Sequence, residues 1–428
     1  MRLTSEKSIL LLIFFFALLL RVTSILNWEG KNSVGISDEE YYDTLALNLS
    51  NYYQFSYYKG KPTAGITPLY PIFLSILYSI FGHNYLVVRF TQAILGSLIC
   101  IITYFIAKLL FNKKIALASL IIIAICPTLI EYSRYLMAET LFVFLFTLSI
   151  FYLLKADREK LLKNKMIAGI LMGLTSLTKP VVVLFLPLLI LWLLIFLKNS
   201  YFKEKLKTQL IITSFFFLTL TPWIIRNFVI YHKFVFTTNI GYTFYGANNI
   251  LSKGGFIDIR KLENLQGNSS QELAESERDK LYFKKGLDFI KEQPLYMLVK
   301  LSVRKILYLF SPFNSEGYMI FFGIIFSFSV IGIFLSLKKK ESLLLYFIIF
   351  YFLLITVIFY GNIRLRVPLL PYLIIFASIG IIDLYRRFTP KFIPISIYVS
   401  ILIVNLSSYY YSETIEEYLK EVLNFLTK

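Results

Sequence analysis

The sequence predicts an all-α polytopic membrane protein with about eleven transmembrane helices, and three observations carry that expectation. Of 428 residues, 57% are hydrophobic and only 16% are charged, against roughly 25% charged in a soluble domain. Apolar runs at 10–20, 115–126 and 181–197 approach or reach the ~20 residues that cross a bilayer core. The 44 lysines and arginines behind the net charge of +18 sit in short clusters between such runs. That pattern reports membrane topology and gives no support to nucleic-acid binding.

Taken in order, the first run, 8–26, is longer than a signal-peptide core and has no small-residue cleavage pattern before Trp28. It reads as a retained span. Further spans are expected at 86–110, 115–130, 137–154, 166–178, 181–197 and 210–225, then at 320–337, 343–359, 367–384 and 392–406. Basic clusters around Lys113, Lys160, Lys203, Lys339 and Arg386 then share one side, the cytoplasm by the positive-inside rule. The parity requires 295–310, with Lys300, Arg304 and Lys305 behind Pro294, to lie along the membrane surface.

Two long segments, 27–85 and 226–318, are then external, and chemistry is expected there because long connections tend to be functional. The first includes a short apolar stretch, 67–81, expected as a re-entrant or interfacial helix begun at Pro68. The second includes a Gly- and Asn-rich loop, 239–255, and a polar helical pattern over 271–292. The organisation is a transmembrane module over 1–225, an external segment over 226–318, C-terminal helices over 319–406 and an amphipathic tail over 407–428.

Within 27–85, Asp38, Glu39 and Glu40 follow Ser37. A carboxylate at the bilayer surface can act as a base, and Ser37 with Glu40 also matches a capping box. Arg134 and Glu139 flank an external turn, where they would pair with each other or face a polar cavity. Lys179 sits in a tight turn before Pro180, placed to meet an anionic headgroup or to snorkel. Arg226, Arg364 and Arg366 stand on the outer face against the usual charge bias. Their guanidinium forks suit phosphate oxygens, and interfacial anchoring is the alternative. His83 and His232 lack partners at metal-ligand spacing, and Cys100 and Cys126 lie in apolar runs, so neither a zinc site nor a disulfide framework is expected. There is no G-x-x-x-x-G-K-[ST] and no G-x-S-x-G.

In this order the motifs Ser37-Asp38-Glu39-Glu40-Tyr41-Tyr42, Pro68-Leu69-Tyr70-Pro71, Phe81-Gly82, Arg89, Tyr132-Ser133-Arg134-Tyr135 with Glu139, Lys179-Pro180, Pro222-Trp223-Ile224-Ile225-Arg226 and Arg364-Leu365-Arg366-Val367-Pro368 form one pattern. It resembles the GT-C superfamily of polyprenyl-phosphate-sugar-dependent glycosyltransferases, particularly its protein O-mannosyltransferase and aminoarabinose transferase branch. The resemblance implies a GT-C fold, a site on the external face and inverting transfer to an acceptor hydroxyl. It implies Asp38 as catalytic base, with Glu39 beside it and Glu139 as a second acid. Arg364 and Arg366 match a basic loop expected to hold the donor phosphate, with Tyr41, Tyr70, Arg134, Lys179 and Arg226 as further substrate contacts. Where many relatives carry a basic residue and a second proline, this chain has Ile66 and Thr67, and Lys61 is the candidate replacement. The leaving phosphate needs charge stabilisation from arginine, lysine or a divalent metal ion. The implied partners are a polyprenyl-phosphate sugar, membrane lipids and an acceptor that the sequence does not identify. A lipid-linked-sugar flippase and a polysaccharide polymerase or ligase are the competing readings. A flippase tends to place polar groups at the bilayer midplane in repeated halves, and neither feature is present in the pattern.

Overall fold

The computed structural model describes residues 2–35, 38–196, 202–266, 273–314 and 317–411. They form two compact units, the first from Met1–Leu109, Leu120–Asn239 and Ala274–Ser276, the second from Leu110–Ser119, Ile240–Leu273 and Glu277–Lys428. Ser37 and the tail 412–428 lie outside the described residues.

In the first unit, α1 (Arg2–Leu26) leads through a loop to α2 (Asp38–Tyr52), whose first turn contains three acids. A small hairpin of β1 (Ser56–Tyr58) and β2 (Lys61–Pro62) follows, then α3 (Leu69–Phe81) behind Pro68. The long apolar α4 (Tyr85–Leu110) comes next. The span expected over 115–130 is two pieces, α5 (Lys113–Ala124) and α6 (Pro127–Glu131). Pro127 has no N–H to continue a helix and forces the preceding residue out of the helical region; Cys126 is extended accordingly. Four more helices complete the unit: α7 (Glu139–Glu159), α8 (Leu162–Thr178), α9 (Phe185–Phe196) and α10 (Phe202–Tyr231). Helix α10 runs through Pro222 and six residues past its expected end.

The second unit holds α11 (Ile240–Ala247), α12 (Ile259–Gln266), α13 (Glu275–Glu292) and α14 (Leu295–Phe310). The first two residues of α13, with Ala274 before them, belong to the other unit. A ribbon of β3 (Phe313–Asn314) and β4 (Gly317–Tyr318) precedes α15 (Ile320–Ser336), α16 (Leu343–Ile358), α17 (Leu370–Arg387) and α18 (Phe392–Tyr410). The stretch expected as a loop at 239–255 contains α11; Gly241 and Gly246 are tolerated there because Asp279 O and the Phe256 ring occupy the space a Cβ would need.

Among the described residues, seven helical stretches are long and apolar enough to cross a membrane. The other four expected spans are the shorter α5, α8, α9 and α15, of 12, 17, 12 and 17 residues. Lipid offers no hydrophobic drive between helices, so small residues that admit close backbone contact hold such bundles together. Both units use this device. In the first, a Cβ on Gly169 of α8 would stand 2.3 Å from Ile212 O of α10, and one on Gly173 2.6 Å from Thr219 Cβ. In the second, a Cβ on Gly332 of α15 would stand 1.8 Å from Phe376 O of α17.

Charge is buried in the second unit as well. The Lys305 ammonium is 1% exposed and donates to Asn248 Oδ1 at 2.8 Å and Val357 O at 3.0 Å, both neutral acceptors. Burial pushes its pKa down to about 8.

Two outcomes follow from these contacts. Gly169→Leu and Gly332→Leu should each lower the melting temperature of the detergent-solubilised protein or prevent its folding, because backbone must move apart. Gly255→Ala should leave it unchanged, since nothing lies within 4 Å of the added atom. For Lys305 the unfolded chain binds the proton more tightly than the folded one. Stability should therefore rise with pH between about 8 and the free lysine value of ~10.4, by a few kcal/mol at most. The difference in stability between wild type and Lys305→Met should move in wild type's favour as pH rises through that window; a difference that stays constant would show that the shift is absent.

Candidate active site

The first unit gathers nine of the residues singled out by the sequence: Lys61, Asp38, Glu39, Tyr41, Tyr70, Arg134, Glu139, Lys179 and Arg226. Arg364 and Arg366 belong to the second unit. The core beneath the site is an apolar cluster in which Tyr42 and Ala46 of α2, Tyr70 and Leu74 of α3, Val88 of α4 and Leu141 of α7 pack together. Tyr42 meets Tyr70 edge to face at 4.9 Å. That packing turns the first turn of α2 and the N-terminus of α7 toward the same aromatic residue: Glu39 and Glu139 both act electrostatically on Tyr70.

The acids of α2 differ in environment. Glu39 is buried, and its Oε2 accepts the Gly35 N–H at 2.6 Å, which ties the loop to the helix it enters. Glu40 is exposed, and Asp38 is half-buried. All three lie where a helix N-terminus favours negative charge. Glu39 thus serves the local fold, and Asp38 sits at the boundary between solvent and core.

Glu139 opens α7 and is 1% exposed. Its Oε1 accepts from Lys179 Nζ at 2.7 Å, and the ammonium lies 5.9 Å over the Phe142 ring. The turn carrying Lys179 is fixed by Thr67, whose hydroxyl donates to Thr178 O at 2.9 Å. Thr67 stands at the position where the resemblance expects a proline, so the departure has a structural use. Tyr70 donates to Gln92 Oε1 at 2.8 Å, and the Gln92 amide donates in turn to Ser133 O and Tyr135 O.

Arg89 is buried and joins the two segments that carry the acids. Its Nη1 and Nη2 donate to Lys31 O and Ser33 O, before α2, and its Nε donates to Arg134 O, before α7. The guanidinium also stacks over Trp28 at 4.8 Å. The sequence names Arg89 only as part of a motif; an arginine opening a span beside an external loop is the signal, and its partners are invisible before folding. Arg134 itself donates to Ser24 Oγ at 2.6 Å.

Arg226 donates to Thr63 O at 2.8 Å and Phe55 O at 3.1 Å, between the Trp223 and Phe55 rings. It anchors the hairpin of the first loop to α10. Glu275 supports the same hairpin by accepting from the hydroxyls of Thr63, Tyr231 and Thr238. Tyr41 stacks on Tyr57 at 4.6 Å, and burial raises its hydroxyl pKa above the ordinary tyrosine range. Lys61 is exposed on β2. In the second unit, Arg366 is 1% exposed, donates to Ser311 O and packs 3.6 Å over the Phe322 ring, while Arg364 is half-buried.

Asp43, on the same helix as Asp38, accepts from Tyr78 at 2.6 Å and Tyr85 at 3.2 Å and pairs with His83 at 2.9 Å. This histidine therefore has a structural partner. Cys100 and Cys126 are free and buried. Among the described residues no three His, Cys, Asp or Glu side chains converge to hold a metal ion.

Comparison with known proteins agrees with this architecture. Residues 61–225 match the family model for dolichyl-phosphate-mannose-protein mannosyltransferases. An uncharacterised protein of Aquifex aeolicus (strain VF5) is 32% identical over 125 residues, 28% of this chain and 25% of that protein. The oligosaccharyltransferase of Archaeoglobus fulgidus, solved with zinc and sulfate, superposes with a TM-score of 0.59 at 17% identity, over 94% of this chain and 53% of its own. Its complex with an inhibitory peptide and a dolichol-phosphate gives 0.55 at 16% identity, over 94% and 55%. The chain thus spans about half the length of the solved relatives and a quarter of the curated one. It has the fold of these oligosaccharyltransferases, with seven helical stretches long and apolar enough to cross a membrane among the described residues, and over 61–225 it is similar to the dolichyl-phosphate-mannose-protein mannosyltransferases.

Proposed function

We propose that the protein is a membrane glycosyltransferase that moves a sugar from a polyprenyl phosphate to an acceptor hydroxyl at the outer face, with inversion. The observation that carries this reading is the Arg89 clamp. It ties the segment before Asp38, through Lys31 O and Ser33 O, to the segment before the buried Glu139–Lys179 pair, through Arg134 O. The family match over 61–225 supports it.

Asp38 takes the proton of the acceptor hydroxyl as that oxygen forms a bond to the anomeric carbon. The bond from the anomeric carbon to the phosphate oxygen breaks, and its electron pair leaves on the phosphate. Back-side attack inverts the configuration. Lys179, 20% exposed beside Glu139, is the cation assigned in this reading to the developing negative charge. Lys61 is the other basic contact of this unit proposed for the donor, and a divalent ion is an optional addition supplied with the substrate. A donor insoluble in water accounts for a site built at the ends of membrane helices.

Purified protein in nanodiscs, supplied with a panel of polyprenyl-phosphate sugars, should convert one donor to the free lipid phosphate. Recovery of every donor with its sugar intact would point to a flippase and would sink the reading. Asp38→Asn should fold normally and lose at least about 100-fold in turnover, the usual scale for a general base; turnover at the wild-type rate would remove Asp38 from that role. Removing one member of a buried ion pair leaves an uncompensated charge and costs about 3–5 kcal/mol. Glu139→Gln and Lys179→Met should therefore each destabilise strongly, while the double variant should cost less than their sum in a thermal-melt cycle.

A further inference from the structure

A recess of ≈ 250 Å³ lies within the second unit, between loop 249–253 and helices α13 and α14. Its walls include Lys253, Lys300 and Arg304, with Ile250, Met297 and Leu301 beside them and no carboxylate among the lining residues. Among the described residues neither Lys253 nor Lys300 has a carboxylate partner. The buried Lys305 ammonium, held by neutral oxygens, is the next residue after Arg304. Positive charge of this density without acids favours an anion.

The loop is built into the fold. Gly254 has φ +102°, a conformation glycine adopts without strain, and a Cβ there would stand 3.0 Å from Arg304 Cβ and 3.2 Å from Lys305 N. Gly254 O accepts the Gly361 N–H at 2.9 Å. Asn249 donates to Tyr245 O and Gly246 O and accepts the Leu251 N–H, so the turn before Lys253 is fixed on both sides.

The remaining face of α14 is apolar and uncovered. Leu295, Val299, Val303 and Leu307 are 76, 54, 48 and 51% exposed, and their four-residue spacing makes one stripe along the helix. Lys300 and Arg304 follow that stripe by one residue each, about 100° around the helix. An apolar ridge with a basic recess at its side is the arrangement that seats an aliphatic chain with a phosphate at its end.

We propose that this recess binds the phosphate of a lipid, whose chain lies along the 295/299/303/307 stripe. The chemistry recognised is a phosphate ester on an aliphatic chain. Phospholipid and prenyl phosphate both present it, and free phosphate presents its head alone. The site does not depend on Asp38 or on the transfer reaction.

The test uses the full chain in detergent with added farnesyl phosphate, dioleoylphosphatidylglycerol, dioleoylphosphatidylcholine or inorganic phosphate, read by native mass spectrometry and by thermal shift. The two anionic lipids should be retained at least tenfold better than phosphatidylcholine. Lys253→Gln, at an exposed loop position, should reduce that retention, and Lys253→Gln/Lys300→Gln should abolish the preference. Asp38→Asn should bind like wild type, which separates failure of this site from failure of the transfer chemistry. Equal retention of phosphatidylcholine, or an unchanged preference in a double variant that still melts cooperatively, would overturn the proposal. An equal shift with inorganic phosphate would assign the recess to a free anion and overturn the lipid part.

Discussion

The architecture around the candidate chemistry depends on one guanidinium. Loop 27–35 and the turn at 132–138 have little regular structure, yet they set the positions of Asp38 and Glu139. A backbone carbonyl buried away from water without a partner costs a few kcal/mol. Arg89 answers that demand for both segments at once with three donors in a rigid fork. A lysine, with a point charge on a flexible stem, does not reproduce three fixed directions. Trp28 packs on the guanidinium's face and excludes water from it.

Other charges in the protein are absorbed by the same economy of donors. Arg226 does for the hairpin what Arg89 does for the loop before it, and Arg366 binds the end of α14 through Ser311. Arg21, buried in α1, donates to Ala17 O of its own helix. Glu139 and Lys179 neutralise each other in a setting where either alone would be costly. Several arginines that composition alone assigns equally to substrate or to scaffold are thereby committed to carbonyl oxygens. Lys61, by contrast, stands exposed on β2.

The two units achieve close helix packing by one route and irregular chain geometry by another. Gly169, Gly173 and Gly332 bring backbones into contact where lipid supplies no hydrophobic force. Prolines act at the ends: Pro68, Pro127 and Pro294 stand at helix starts, and Pro127 divides what the hydropathy pattern joins. The acids of α2 divide their labour by exposure. Glu39 accepts the Gly35 N–H, and Asp38 retains a path to solvent.

Hydropathy by itself placed a helix at each of the eleven expected stretches and at α14 and α3, though among the described residues only seven stretches are long and apolar enough to cross a membrane. The acidic turn of α2 and the Lys179 turn were readable because charges stand out in an apolar chain. The helix break inside 115–130 was missed: the apolar run reads as one span, although the effect of Pro127 on the residue before it is a local rule. The structured character of 239–255 was not legible, because Gly241 and Gly246 look like loop residues until Asp279 O and Phe256 fill the space beside them. Partner choice was not legible either. Whether Glu139 pairs with Arg134 or with Lys179 depends on which helices meet, and that is decided by glycine contacts and aromatic packing between segments far apart in the chain. Bilayer physics acts on each segment separately and is therefore written in the sequence; the joining of Lys31, Ser33 and Arg134 around Arg89 is a property of three segments together and exists only once the chain has folded.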